Sequence, residues 1–126
     1  MTRSTNGRSS VAKQDEIDPV RKAARAWALT GLALSIPALL LAMLSSGGGH
    51  GDYQFARAAF PIPMLLTFNG SINPLSLVAA LVQFPVYGWI VGSAMARREY
   101  GRLIVVAFLH VLAVVACFSG LLPNFS

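Results

Sequence analysis

Few side chains in this chain have types and spacings that could do chemistry. The candidates are two histidines, one cysteine and a few polar residues set within apolar runs. His50-Gly51-Asp52-Tyr53 offers two possible metal ligands, but no third ligand lies near and no cysteine pair exists. The plainer reading of His50 and Asp52 is an exposed turn, with a lipid-modifying or intramembrane enzyme as the remote alternative. Cys117 lies in an uncharged stretch, where a thiol fills space rather than reacts. The glycines of Ser45–Gly51 are not followed by the Lys-Ser/Thr of a phosphate-binding loop, so they form a linker. No nucleophile–base pair or carboxylate dyad is apparent. The expectation is a chain without enzymatic activity, cofactor or metal.

Three polar residues carry the alternative. Gln83, Tyr87 and His110 lie within long apolar runs, and a titratable His110 beside an amide could serve a small transporter or channel component. The structural reading is that each needs a hydrogen-bond partner because a polar group in hydrocarbon is costly. Counting 1.5 Å per residue puts His110 at about 10 Å from one membrane edge, with Tyr87 and Ser35 at about 13 Å. These three are expected to meet. Gln83, at about 20 Å, is expected near the level of Cys117 and Ser119.

A third pattern concerns packing. Gly88, Gly92 and Ala96 are spaced four apart, as are Gly31 and Ser35, and Ala116 and Gly120. Small residues at that spacing form a groove that lets another helix backbone approach closely, either within the chain or from a second copy.

The elements that position these residues follow from composition. Of 126 residues, 55% are hydrophobic and 12% charged, about half the charge of an ordinary soluble domain. Nine of the ten basic residues lie in positions 1–25 or 97–102, and positions 103–126 carry no charged side chain. A soluble globule needs polar faces wherever it meets water, so this distribution excludes one. It also excludes a nucleic-acid-binding module, despite a pI near 10.2.

The fold class expected is an all-α integral membrane protein: three transmembrane helices plus one short interfacial or half-inserted helical segment. Residues 1–18 are read as a disordered cytoplasmic tail and residues 19–126 as a single membrane domain. Asp18-Pro19 suits a helix start, and the first span runs over about 26–44 with a kink at Pro37. Its apolar core is longer than the 7–15 residues of a signal peptide, so an anchor is expected. Residues 53–70 contain only about eleven continuous apolar positions, interrupted by Pro61 and Pro63. They are too short to span and are expected to lie on the membrane or dip into it. Asn73-Pro74 opens the second span, about 75–96, which ends at a turn with Gly101 as terminator. The third, about 103–122, holds thirteen Leu, Ile, Val or Phe residues, worth roughly −4 to −8 kcal/mol of insertion tendency.

Arg21, Lys22, Arg25, Arg97, Arg98 and Arg102 form a belt that the positive-inside rule places in the cytoplasm. With three spans, the C-terminus is then outside. The location read from this is a plasma membrane, that of a bacterial inner membrane. Partners are the lipid bilayer and other membrane proteins or a second copy, with no nucleic acid. The function expected is a non-enzymatic accessory or scaffold subunit acting through helix packing. The sequons at Asn69 and Asn124 matter only in a eukaryotic secretory pathway.

Overall fold

The computed structural model describes residues 6–46, 53–67 and 72–120, and the described chain is helical throughout, with no strand. Its elements are α1 (Asn6–Ser46), α2 (Gln54–Ala59), α3 (Pro61–Leu65), α4 (Pro74–Arg97) and α5 (Tyr100–Phe118). Three segments, Asp18–Ser45, Pro74–Arg97 and Tyr100–Phe118, are long and apolar enough to cross a membrane. Little of their surface is covered by the protein: in α5 only Cys117 is buried.

Helix α1 begins at Asn6 rather than at Pro19, which lies in its interior, as does Pro37. The chain upstream of Pro19, read from composition as disordered, is helical over residues 6–17. Ala12, Lys13, Gln14 and Glu16 all favour helix. Proline removes one hydrogen bond, which a helix can lose without ending.

The start of α4 matches the cap-then-proline signal. Asn73 Oδ1 accepts from the Ser76 N–H at 2.9 Å, and the Asn73 N–H donates to Ser76 Oγ at 3.2 Å. Asn73 Nδ2 also donates to the Leu66 carbonyl at 3.1 Å, tying α4 to the end of α3. Asn73→Ala is expected to lower unfolding free energy by about 1–2 kcal/mol. Asn73→Asp keeps the cap but loses the Leu66 bond, so it should fall between. Thermal unfolding of the three proteins in one detergent checks the order.

Helices α1 and α4 pack antiparallel along most of their length. Gly31 lies against Phe84, Gly88 against Trp27, and Gly92 against Ala23 and Ala24. At Gly92 a Cβ would stand 2.7 Å from the Ala23 carbonyl oxygen, and at Gly31 and Gly88 it would fall onto the carbonyls of Phe84 and Trp27. The glycines are therefore what allows this approach. Ser35, Ala42 and Ala80 extend the buried small-residue seam. Ala96 does not join it and is exposed. Each step of four residues turns a position about 40° round the axis, and two steps from Gly88 have carried Ala96 off the packed face.

Segment α2–α3 is wedged among α1, α4 and α5. Phe60, at the break between the two short helices, is 3% exposed and meets Phe84 edge-on at 5.2 Å. Helices α1 and α5 do not touch, so α5 is held by α4 and by the wedge.

The turn after α4 is made by Arg98, in the left-handed region at φ 57°, not by Gly101. Gly101 lies inside α5 with nothing near its side-chain position. The Glu99 N–H caps α4 by donating to the Ala94 carbonyl at 2.8 Å, and Glu99 pairs with Arg102 Nε at 2.8 Å. These contacts offset the roughly 1–2 kcal/mol that a left-handed non-glycine costs. Helix α5 ends at Phe118, four residues before the expected boundary, because Gly120 takes φ 83° in the turn that follows.

Candidate functional site

The polar residues of α4 and α5 converge on one feature, the broken helix α2–α3. A helix interrupted by proline leaves carbonyls without their usual donors. Pro63 has no N–H to offer the Ala59 carbonyl four residues before it. The backbone at Phe60 (φ −125°, ψ 53°) breaks the ladder around Ala58. These acceptors are supplied from elsewhere in the chain.

Gln83, only 5% exposed, donates from Nε2 to the Ala59 carbonyl at 2.9 Å. His110 reaches the Ala58 carbonyl through Nε2 at 3.2 Å, and Cys117 donates from Sγ to the Pro61 carbonyl at 3.3 Å. A carbonyl can only accept, so Nε2 of His110 must carry the proton. Its Nδ1 is then an acceptor when the ring is neutral, and Tyr87 Oη donates to it at 3.1 Å. The rings stand edge to face with centroids 5.6 Å apart. Tyr87 thus fixes the tautomer with which His110 holds Ala58.

Gln83 and His110 are nine and ten residues into their helices, about 14–15 Å from the α4 and α5 starts. The break at residues 58–60 therefore lies alongside the middle of α4 and α5. Residues 53–67 thus lie between the long helices rather than across their ends.

Tyr87 and His110 meet, but Ser35 does not join them. Its Oγ donates to the Gly31 carbonyl at 3.0 Å and reaches the Leu81 carbonyl at 3.4 Å. The depth count began at Ala26, whereas the register sets Ala23 beside Gly92. The long apolar segment of α1 starts at Asp18, and Ser35 stands correspondingly further along it. Gln83 and Cys117 do share a level, on carbonyls two residues apart. Ser119 bonds only its own helix, at Ala116.

One residue that composition undervalued is Arg57, counted as the single basic residue of the 45–74 stretch. It lies on α2 beside the break, half-buried, and its Nε is enclosed without a hydrogen-bond partner. Gln83 Oε1 is likewise buried and unpartnered. The signal was available: an arginine one residue before Ala58 is carried inward with any segment that dips.

Among the described residues no group of three His, Cys, Asp or Glu could hold a metal ion. His50, Asp52, Asn69 and Asn124 lie outside the described residues. The belt residues Arg21, Lys22, Arg25, Arg97, Arg98 and Arg102 are all exposed near one end of the bundle. Comparison with protein-family models, curated proteins and solved structures finds no match to the chain.

Proposed function

We propose that the protein is an integral protein of a bacterial inner membrane, crossing it three times with a half-inserted segment between the first two spans. Its N-terminus is cytoplasmic and its C-terminus outside. It acts as a non-enzymatic accessory or scaffold subunit through helix packing. The observation that carries this reading is the engagement of Gln83, His110 and Cys117 with the carbonyls of Ala59, Ala58 and Pro61. The polar groups that chemistry or transport would use are employed in holding the chain's own shape. The small-residue seam is also closed within the chain, so contact with a partner falls to the large apolar outer faces, α5 foremost.

Purification from native membranes in mild detergent tests the role: a co-purifying membrane protein is expected, and a lone monodisperse chain counts against it. A compartment-sensitive reporter fused after Ser126 is expected to report the outer compartment. A cytosolic signal there overturns the three-span arrangement.

A second reading, a small transporter or channel component using His110 and Gln83, is favoured by the buried, unpartnered Gln83 Oε1 and Arg57 Nε. Atoms of this kind suit a passing solute or water. Flux in proteoliposomes that His110→Ala abolishes would establish it, and no flux between about pH 5 and pH 8, where histidine titrates, would remove it.

A further inference from the structure

The belt of basic residues contains a built cavity. Arg21 of α1, Arg97 of α4 and Arg102 of α5 frame a space of about 370 Å³, with Ser93, Trp89, Val20 and Ala24 as the remaining lining. Three helices thus bring three guanidinium groups to one opening. Exposed charges of one sign gathered this way set up a positive potential that favours a bound anion.

The chain supplies little compensation. Glu99 pairs with Arg102 Nε at 2.8 Å, and no other salt bridge occurs among residues 18–45, 53–67 and 72–120, whose side chains are described. Arg21 and Arg97 have no acidic partner there, leaving an excess of two positive charges around the cavity. Guanidinium groups present forked donors that match the oxygens of a phosphate.

The apolar lining indicates where that phosphate comes from. Beside the arginines the lining turns apolar at Val20, Ala24 and the indole of Trp89, which is 47% exposed. Charged and apolar lining side by side near the helix ends matches a phospholipid headgroup continuing into its glycerol and acyl chains. A soluble phosphate would gain nothing from the apolar part. The volume is at the small end of the range for ligand pockets, which suits a headgroup rather than a whole lipid.

We propose that the cavity framed by Arg21, Arg97 and Arg102 binds the phosphate of an anionic phospholipid, selecting it from the surrounding bilayer. The assignment rests on the membrane reading above but not on the scaffold or transport role.

The test reconstitutes the full chain in nanodiscs of equal parts phosphatidylcholine and phosphatidylglycerol and counts retained lipids by native mass spectrometry. Wild type is expected to retain phosphatidylglycerol over phosphatidylcholine. Arg21→Gln/Arg97→Gln is expected to weaken retention about tenfold or more. Lys22→Gln/Arg98→Gln removes the same charge away from the cavity lining and is expected to retain lipid as wild type does. Equal loss in both double variants would mean a diffuse field rather than a site, and the proposal falls. Absence of preference in wild type overturns it too. Displacement of phosphatidylglycerol by millimolar inorganic phosphate would reassign the site to a soluble anion and overturn the lipid assignment. Failure to enter nanodiscs at all would instead refute the membrane reading.

Discussion

Gly88→Ile is expected to leave no folded protein in mild detergent. The Cβ of any other residue at position 88 falls onto the Trp27 carbonyl, with the Ala28 Cα 3.1 Å away. Backbone cannot rotate aside as a side chain can, so α1 and α4 must separate. Overpacking ordinarily costs about 1–3 kcal/mol, and Gly88→Ala should already reach the top of that range. Isoleucine adds three further carbons to the same collision. Separation then opens the seam through Gly31, Ser35 and Gly92, the most extensive contact in the fold.

The same geometry ranks the seam. Gly31 also meets backbone, the Phe84 carbonyl, and should respond nearly as strongly. At Gly92 the backbone stands farther off, the Ala23 carbonyl oxygen at 2.7 Å and the Ala24 Cα at 2.9 Å, and the third contact, Trp27 Cδ1, can move, so Gly92→Ala should be milder. Gly101→Ala, with nothing within 4 Å, should be neutral or gain about 0.5–1 kcal/mol of helix stability. Size-exclusion profiles and thermal unfolding of the four alanine variants and Gly88→Ile decide the matter. A monodisperse Gly88→Ile protein with unchanged melting would refute the seam as the fold's main support.

Removing the donors to the broken helix should have the second largest effect. Gln83→Leu/His110→Leu leaves the part-buried Ala59 carbonyl and the more exposed Ala58 carbonyl without their partners. Hydrogen bonds between membrane helices average only about 0.6 kcal/mol, because the unfolded state finds other partners. Here proline has removed the local donor to Ala59, so little replacement exists. The stranded-acceptor figure of about 1–3 kcal/mol applies to Ala59 and the ordinary bond value of about 0.5–1.5 kcal/mol to the exposed Ala58, giving about 1.5–4.5 kcal/mol for the pair. Tyr87→Phe spares the Nε2 bond to Ala58 and should cost about 0.5–1.5 kcal/mol.

The double variant has a local signature as well. Arg57 is the lone trypsin site between Arg25 and Arg97, and it lies beside the break. Release of α2–α3 should speed trypsin cleavage after Arg57 in the double variant and barely in Tyr87→Phe. Unchanged cleavage and unchanged unfolding would show that these side chains do not hold the segment.

The three long helices were legible because span length and uninterrupted hydrophobicity are local properties. The four-residue spacing of Gly88 and Gly92 was legible for the same reason, and Gly31 proved to lie in the same seam, against Phe84. What covered the groove was not, since the facing residues lie more than fifty positions away. The Tyr87–His110 contact came from counting heights. Counting failed for Ser35 because the foot of α1 was set by charge at Ala26, not by the register with α4. Ala96 failed because a four-residue stripe drifts round a helix with 3.6 residues per turn. Pro19 and Gly101 failed because residue preferences of about 1 kcal/mol are readily overridden by context. The engagement of Gln83, His110 and Cys117 with α2–α3 was hidden, although a rule could have found the Gln83 contact. Each proline in a buried helix frees an acceptor four residues back, and the few donors at matching height are its candidates.

The pairing of Gly31 with Phe84 has a consequence for biogenesis. The ribosome must add about fifty residues after Gly31 before the matching face exists, which at about 5–20 residues per second takes roughly 3–10 s. Throughout that delay the first helix carries a strip of scarcely covered peptide groups. With the chain in a bilayer as proposed above, whatever inserts the nascent helix must shield this strip, and slowing synthesis between the first two long helices should favour premature self-association of nascent chains.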